Sequence, residues 1–182
     1  MACKKKGFTL VELIIVIFIV GLLSVMIFSL FNIFKKTTGL YEAKSNFMRA
    51  GNDSIDFIIE KLFTSEYCIS DFKEFNYTGK QIIFKIKEDD PDFNEYAVIS
   101  FDFLSNKLKY TQILIDNEES EISRNDSVFA QGVEDFNAFF NKGIPEKSNF
   151  VYFSMIFVDR SGTLPKSYVF SSGHYLRNVR IK

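Results

Sequence analysis

The chain has 182 residues, 47% of them apolar, with 22 Phe, 8 Tyr, no Trp and a formal net charge of −1. That length suits one compact domain plus an appendage, and a composition rich in aromatics and poor in Gly and Pro speaks against a disordered or fibrous chain. The near-zero charge does not announce a nucleic-acid or anionic-membrane binder, and removing residues 1–7, which hold three lysines, leaves 19 basic against 23 acidic side chains.

The chain begins with a basic cluster, Lys4-Lys5-Lys6, followed by Gly7-Phe8-Thr9-Leu10-Val11-Glu12. From Leu13 to Phe34 no residue is charged. At about 1.5 Å per residue, a helix over this run spans a hydrocarbon core of about 30 Å. The three lysines predict a cytoplasmic N-terminus, with Lys35 and Lys36 on the far side as a weaker opposing vote. An ordinary secretory signal does not fit, because the apolar run is too long and no small-residue cleavage site follows it. A plain anchor leaves Glu12 without a reason, since a carboxylate at the centre of a bilayer costs about 2.5 to 3.5 kcal/mol on insertion scales, and less near its edge.

Beyond the apolar run, Leu40, Ala43, Phe47, Met48, Ile55, Ile58, Ile59 and Leu62 recur at helical spacing and predict an amphipathic continuation over residues 35–64 that leans on a domain. Gly39 and Gly51-Asn52-Asp53 are expected weak points in it. After Ser65 the period becomes two. Ile82, Phe84 and Ile86 alternate with Lys85 and Lys87, and Ala97, Ile99, Phe101 and Phe103 alternate with Val98, Ser100 and Asp102, which predicts half-buried antiparallel strands. Glu88-Asp89-Asp90-Pro91-Asp92 is an expected turn, Ser105-Asn106 a tight connection into a strand at 107–115, and residues 116–127 an exposed loop. Residues 128–140 read as either a short helix or a strand. A hairpin is expected from strands at 150–158 and 163–170 around Asp159-Arg160-Ser161-Gly162, with Pro165 marking an edge and the first strand covered on both sides. The fold class is therefore α+β: a protruding N-terminal helix of about fifty residues packed on an antiparallel sheet, with residues 65–182 forming a β-rich globular domain.

No catalytic constellation, cofactor motif or small-molecule site is evident. His174 is the sole histidine and reads as a loop residue, so no histidine triad or metal pair can form. The carboxylates of Glu88, Asp89, Asp90 and Asp92 lack calcium-loop spacing and read as a solvated turn, as do Glu118, Glu119 and Glu121. Lys80, Lys85, Lys87, Lys107 and Lys109 could form a basic face for DNA, a reading weaker than simple solvation. Cys3 and Cys68 are the only cysteines.

The segment from Lys4 to Glu12 and the apolar run behind it resemble the class III signal of type IV prepilins and pseudopilins: basic residues, Gly, Phe, Thr, Leu, a hydrophobic residue, Glu, then about twenty apolar residues. The resemblance implies a leader at residues 1–7, cleavage after Gly7 by a prepilin peptidase on the cytoplasmic side, and N-methylation of Phe8. It implies that residues 8–34 form the transmembrane and filament-core helix, and that Glu12 is an assembly residue meeting the Phe8 amine of a neighbouring subunit. Cleavage would remove Cys3 and leave Cys68 alone, so the C-terminal disulfide loop of major pilins is not expected; nor is their helix-kinking proline, whose place Ser29 takes. Implied partners are the peptidase, other pilin or pseudopilin subunits, the assembly platform and the inner membrane. The implied role is a minor pseudopilin or minor pilin in type II secretion, type IV pili or competence for DNA uptake, reached through the inner membrane and then a periplasmic or extracellular filament. A monomeric single-span receptor or sensor domain is the alternative.

Overall fold

The computed structural model describes residues 9–86, 92–160 and 165–176. Among the described residues one helix, α1 (Leu10–Phe63), precedes ten strands. The strands are β1 (Ser65–Ile69), β2 (Asp71–Phe72), β3 (Phe75–Asn76), β4 (Gln81–Ile86), β5 (Phe93–Asp102), β6 (Lys107–Asp116), β7 (Glu121–Gln131), β8 (Val133–Phe140), β9 (Phe150–Asp159) and β10 (Lys166–Tyr175). A 3-10 turn at Pro145–Lys147 lies between β8 and β9. The chain divides into two compact units, residues 1–45 and residues 46–182.

In the first unit, α1 is helical throughout its described length, and every large apolar residue from Leu10 to Phe34 is exposed. Polar residues within it satisfy themselves against the helix: Ser24 Oγ donates to the Val20 carbonyl at 2.8 Å, and Thr37 Oγ1 to that of Ile33 at 2.8 Å. Gly39, expected as a weak point, leaves the helix unbroken.

In the second unit the rest of α1 packs on two antiparallel sheets. One has the order β1-β4-β5-β6-β7 and the other β10-β9-β8. The apolar stripe anticipated on α1 is shorter than its spacing implied, because Leu40 and Met48 are exposed and packing against the core begins at Phe47. From there Gly51, Ser54, Ile58 and Leu62 form the buried face. Phe47 stacks on Tyr168 at 5.5 Å between centroids, and Phe57 stacks on Phe129 at 4.5 Å while meeting Tyr110 edge-on. Gly51 is a close-approach site rather than a break, since a Cβ there would collide with the Phe170 ring. The core is completed by Ile82, Phe84, Ile99 and Leu108 from the first sheet and Phe136, Phe153, Met155 and Phe157 from the second.

Strand coverage departs from the sequence reading in opposite directions. The first sheet is buried on both faces in its middle: Ile83, Val98 and Ile113, which alternate away from the helix-facing set, are fully buried. The β2–β3 hairpin supplies that cover, stacking Phe72 on Tyr96 at 4.1 Å and tying Glu74 to Arg124 and Lys73 to Glu121. Strand β9, expected to be covered on both sides, buries Val151, Phe153, Met155 and Phe157 on one face, while on the other Ile156 and Val158 are half-buried and Tyr152 is 42% exposed.

Residues 128–140 are strand rather than helix, and residues 121–127, read as loop, are the first part of β7. Only 117–120 form the turn, closed by Asp116, whose carboxylate accepts from the backbone N–H groups of Glu118 and Ser120. Polar composition misled here because β7 is an edge strand whose side chains stay in solvent through most of its length, so it needs no apolar alternation. Gly132, at φ +74°, separates β7 from β8 and directs the chain into the second sheet. The expected turn at residues 88–91 and residues 161–162 of the second hairpin lie outside the described residues. Strand β10 begins at Lys166, just past Pro165, and is an edge strand.

Candidate assembly site at the helix N-terminus

The first turn of α1 is built by Thr9 and Glu12. Thr9 precedes the first helical residue, Leu10, and its Oγ1 accepts from the Glu12 backbone N–H at 3.3 Å. Glu12 Oε2 reaches back to accept from both the Thr9 backbone N–H and the Thr9 hydroxyl, each at 2.9 Å. The Leu13 N–H closes the turn on the Thr9 carbonyl at 3.2 Å. This reciprocal arrangement is a capping box, with Thr at the N-cap and Glu at the third helical position. It satisfies two of the four unpaired N–H groups of a helix start, those of Thr9 and Glu12, and sets a carboxylate against the positive end of the helix dipole. The spacing Thr9-x-x-Glu12 was legible in the sequence and gives Thr9 a role that the sequence reading did not assign.

Glu12 is thus satisfied within its own chain, yet remains exposed at the head of an apolar helix. The helix face behind it, from Leu13 to Phe34, is wholly uncovered in the single chain. Such an area is far larger than a soluble monomer normally leaves in water, so it needs lipid or other helices around it. Gly7 and Phe8, the expected processing residues, lie outside the described residues, as do Cys3 and the lysines of the leader.

Several of the other sequence candidates form ion pairs, while Lys107, Glu118 and Glu119 have none among the described residues. Lys80 meets Asp135 at 2.5 Å, Lys85 meets Glu66 at 3.7 Å, and Lys109 meets Asp102 at 2.7 Å. The lysine pattern therefore forms no bare basic groove among the described residues; Lys87 lies outside them. Asp92 and Glu121 are described, and the latter pairs with Lys73. Glu88, Asp89 and Asp90 fall outside the description. Among the described residues no group of three or more His, Cys, Asp or Glu is placed to hold a metal ion. His174 is not a loop residue: it sits in β10, with its ring 6.4 Å from Phe63. Cys68 is buried in β1, and burial, reinforced by the negative charge of Glu146, pushes its thiol well above the ordinary range.

Comparison with protein families matches residues 3–28 to the prokaryotic N-terminal methylation motif. That motif is the hallmark of type IV pilin-like, prepilin-processed proteins, and the matched residues include Gly7, Phe8, Thr9 and Glu12. The chain carries this hallmark over residues 3–28, and the motif points to a structural subunit rather than an enzyme. The motif and the apolar helix are both consistent with membrane anchoring. No curated protein matches the chain.

Proposed function

We propose that the protein is a structural subunit of a type IV filament machine, a minor pseudopilin or minor pilin that is stored in the inner membrane with its N-terminus cytoplasmic and assembled through α1. The observation that carries this reading is the coincidence of the methylation motif with a helix whose apolar surface has no cover in its own chain. A prepilin peptidase would cleave after Gly7 and methylate Phe8, leaving residues 8–34 as the helix packed at the filament core, 35–64 as its continuation, and 65–182 as the domain carried outward. Machines of this kind serve type II secretion, type IV pili or DNA uptake. The lysine pairs found here give no support to direct DNA contact by the domain.

Glu12 has two jobs in this account. In the single chain it completes the capping box with Thr9; in the filament it meets the methylated Phe8 amine of a neighbour. A buried charge pair of this sort is costly to break, since removing one partner strands the other at about 3 to 5 kcal/mol. Glu12→Val should therefore leave membrane insertion and cleavage unchanged while sharply reducing recovery in the sheared filament fraction. Thr9→Val provides the control. It removes the cap hydroxyl, costs about 1 kcal/mol of helix start, and should reduce assembly less than the loss of the carboxylate. Wild-type filament recovery and wild-type crosslinking to sister subunits for Glu12→Val would refute the assembly role and favour a monomeric anchored receptor or sensor.

A further inference from the structure

Within the second unit, β10 runs alongside α1 in the same direction: Tyr168 stacks on Phe47, the Phe170 ring lies against Gly51, and the His174 ring is 6.4 Å from that of Phe63. The start of β10 at Lys166 therefore marks the end of this unit at which the chain enters it. Antiparallel pairing puts Asp159 of β9 and Val133 of β8 at the same end, and the Val133 N–H donates to the Asn106 carbonyl at 3.1 Å. The turn at residues 103–106 between β5 and β6 is thus carried at the entry end. It presents Phe103 and Leu104 to solvent at 73% and 84% exposure. Turn positions normally carry Gly, Pro, Asn, Asp or Ser, so two large apolar side chains there need a reason. The turn is also held rigidly. Asp102 accepts from the Leu104 and Ser105 backbone N–H groups, the Ser105 hydroxyl and the Lys109 ammonium, and Asn106 takes a left-handed conformation at φ +53°.

The charges of this end lean one way. Lys80, Lys109 and Arg160 are paired with Asp135, Asp102 and Glu134, and Asp159 is buried. Lys107 and the exposed Lys166 have no ion-pair partner among the described residues. The far end of β5 and β6 is the reverse: its 117–120 turn carries Glu118 and Glu119, exposed and likewise unpaired among the described residues. Only residues 35–45, helical and about 17 Å long at 1.5 Å per residue, separate the charge-free run from this unit. A tether so short keeps the entry end next to the bilayer. Spanning helices tilt by about 20° on average, which lowers one side of a tethered domain towards the lipid surface.

We infer that the Phe103–Leu104 turn is a second membrane contact: in the stored subunit its two apolar side chains enter the headgroup region of the bilayer, while Lys107 and Lys166 meet anionic headgroups. Apolar side chains flanked by cations are the combination with which interfacial segments hold a lipid surface. The same surface repels the Glu118–Glu119 end, so charge decides which end of the domain faces the lipid. A turn already fixed by Asp102 loses little conformational freedom on insertion. Tethering makes the contact intramolecular, so two side chains suffice where they would not hold a free domain. The inference rests on the membrane-stored filament subunit proposed above, and adds that the subunit must release this contact when it leaves the bilayer.

The test uses the full chain with Cys3→Ser, reconstituted in vesicles of phosphatidylethanolamine and phosphatidylglycerol, with a fluorophore on Leu104→Cys or on Glu118→Cys. Both positions are exposed, and the native Cys68 is buried. The expected result is a Leu104 probe quenched by spin-labelled lipid and shielded from aqueous acrylamide, and a Glu118 probe that behaves in the opposite way. Phe103→Asp, or Lys107→Glu with Lys166→Glu, should reduce the lipid quenching at Leu104 several-fold without moving the thermal melt. Lipid quenching that survives either change would overturn the contact. Equal access of acrylamide to the two probes, in chain that floats with the vesicles, would overturn it too and leave the filament reading standing. Shielding of Leu104 that appears only when sister subunits are added would overturn it in favour of a protein partner. A chain that does not float with the vesicles would overturn the membrane-stored reading and the contact together.

Discussion

Gly51 and Gly39 stand on the same helix and have opposite consequences. The Phe170 ring occupies the space that a Cβ on Gly51 would need, and that ring is itself buried edge-on against Phe157 at 5.7 Å. Gly51→Ala should therefore destabilise the domain by about 1 to 3 kcal/mol, the usual range for overpacking, whereas Gly39→Ala, with nothing near it, should be neutral or stabilising by up to about 1 kcal/mol. Thermal melts of the two variants check this, and equal effects would contradict the close approach. Asp102 gives a residue-scale test of the turn. The hydrogen bonds from Lys109 and then Ser105 hold its carboxyl well below the ordinary carboxylate value. A group depressed in the folded state adds stability that is fully present above its unfolded value, about 3.9, and is lost as pH falls through the lower folded value. Asp102→Asn should therefore be less stable than wild type at neutral pH, with the gap shrinking below about pH 4. A gap that stays constant to pH 2 would mean that the charge does not matter.

At the scale of elements, what the sequence disclosed depended on how local the determinant was. The capping box, the charge-free run and the start of the β region are written in neighbouring residues, and α1 duly begins at Leu10 and ends at Phe63, two residues before β1. The strands at 82–86, 97–102, 107–115 and 150–158 follow from their alternation. What the alternation could not disclose was the second cover on the first sheet. Ile83 and Val98 are buried because the β2–β3 hairpin folds back over them, and that hairpin is held by Glu74–Arg124, partners fifty positions apart. Strand β7 was missed for the converse reason: an edge strand facing water has no apolar period to read, and its partner β6 lies across a four-residue turn. Of the candidate site, Glu12 was legible as an anomaly, but Thr9 as its partner required asking where the first N–H groups of the helix are satisfied.

For the whole molecule, the division at residues 45 and 46 matches a division of labour in the proposed function. One unit is a helix that cannot remain bare in water, and the other is a domain with its own aromatic-rich core. The central claim is that the two are joined in a processed filament subunit. Intact-mass measurement of the chain recovered from membranes of a host with active prepilin peptidase tests it most directly. The account predicts a mature protein that begins at Phe8 and carries one added methyl group, and a full-length precursor when Gly7 is replaced by a bulky residue. Recovery of the wild-type chain uncleaved, with residues 1–7 in place, would contradict it.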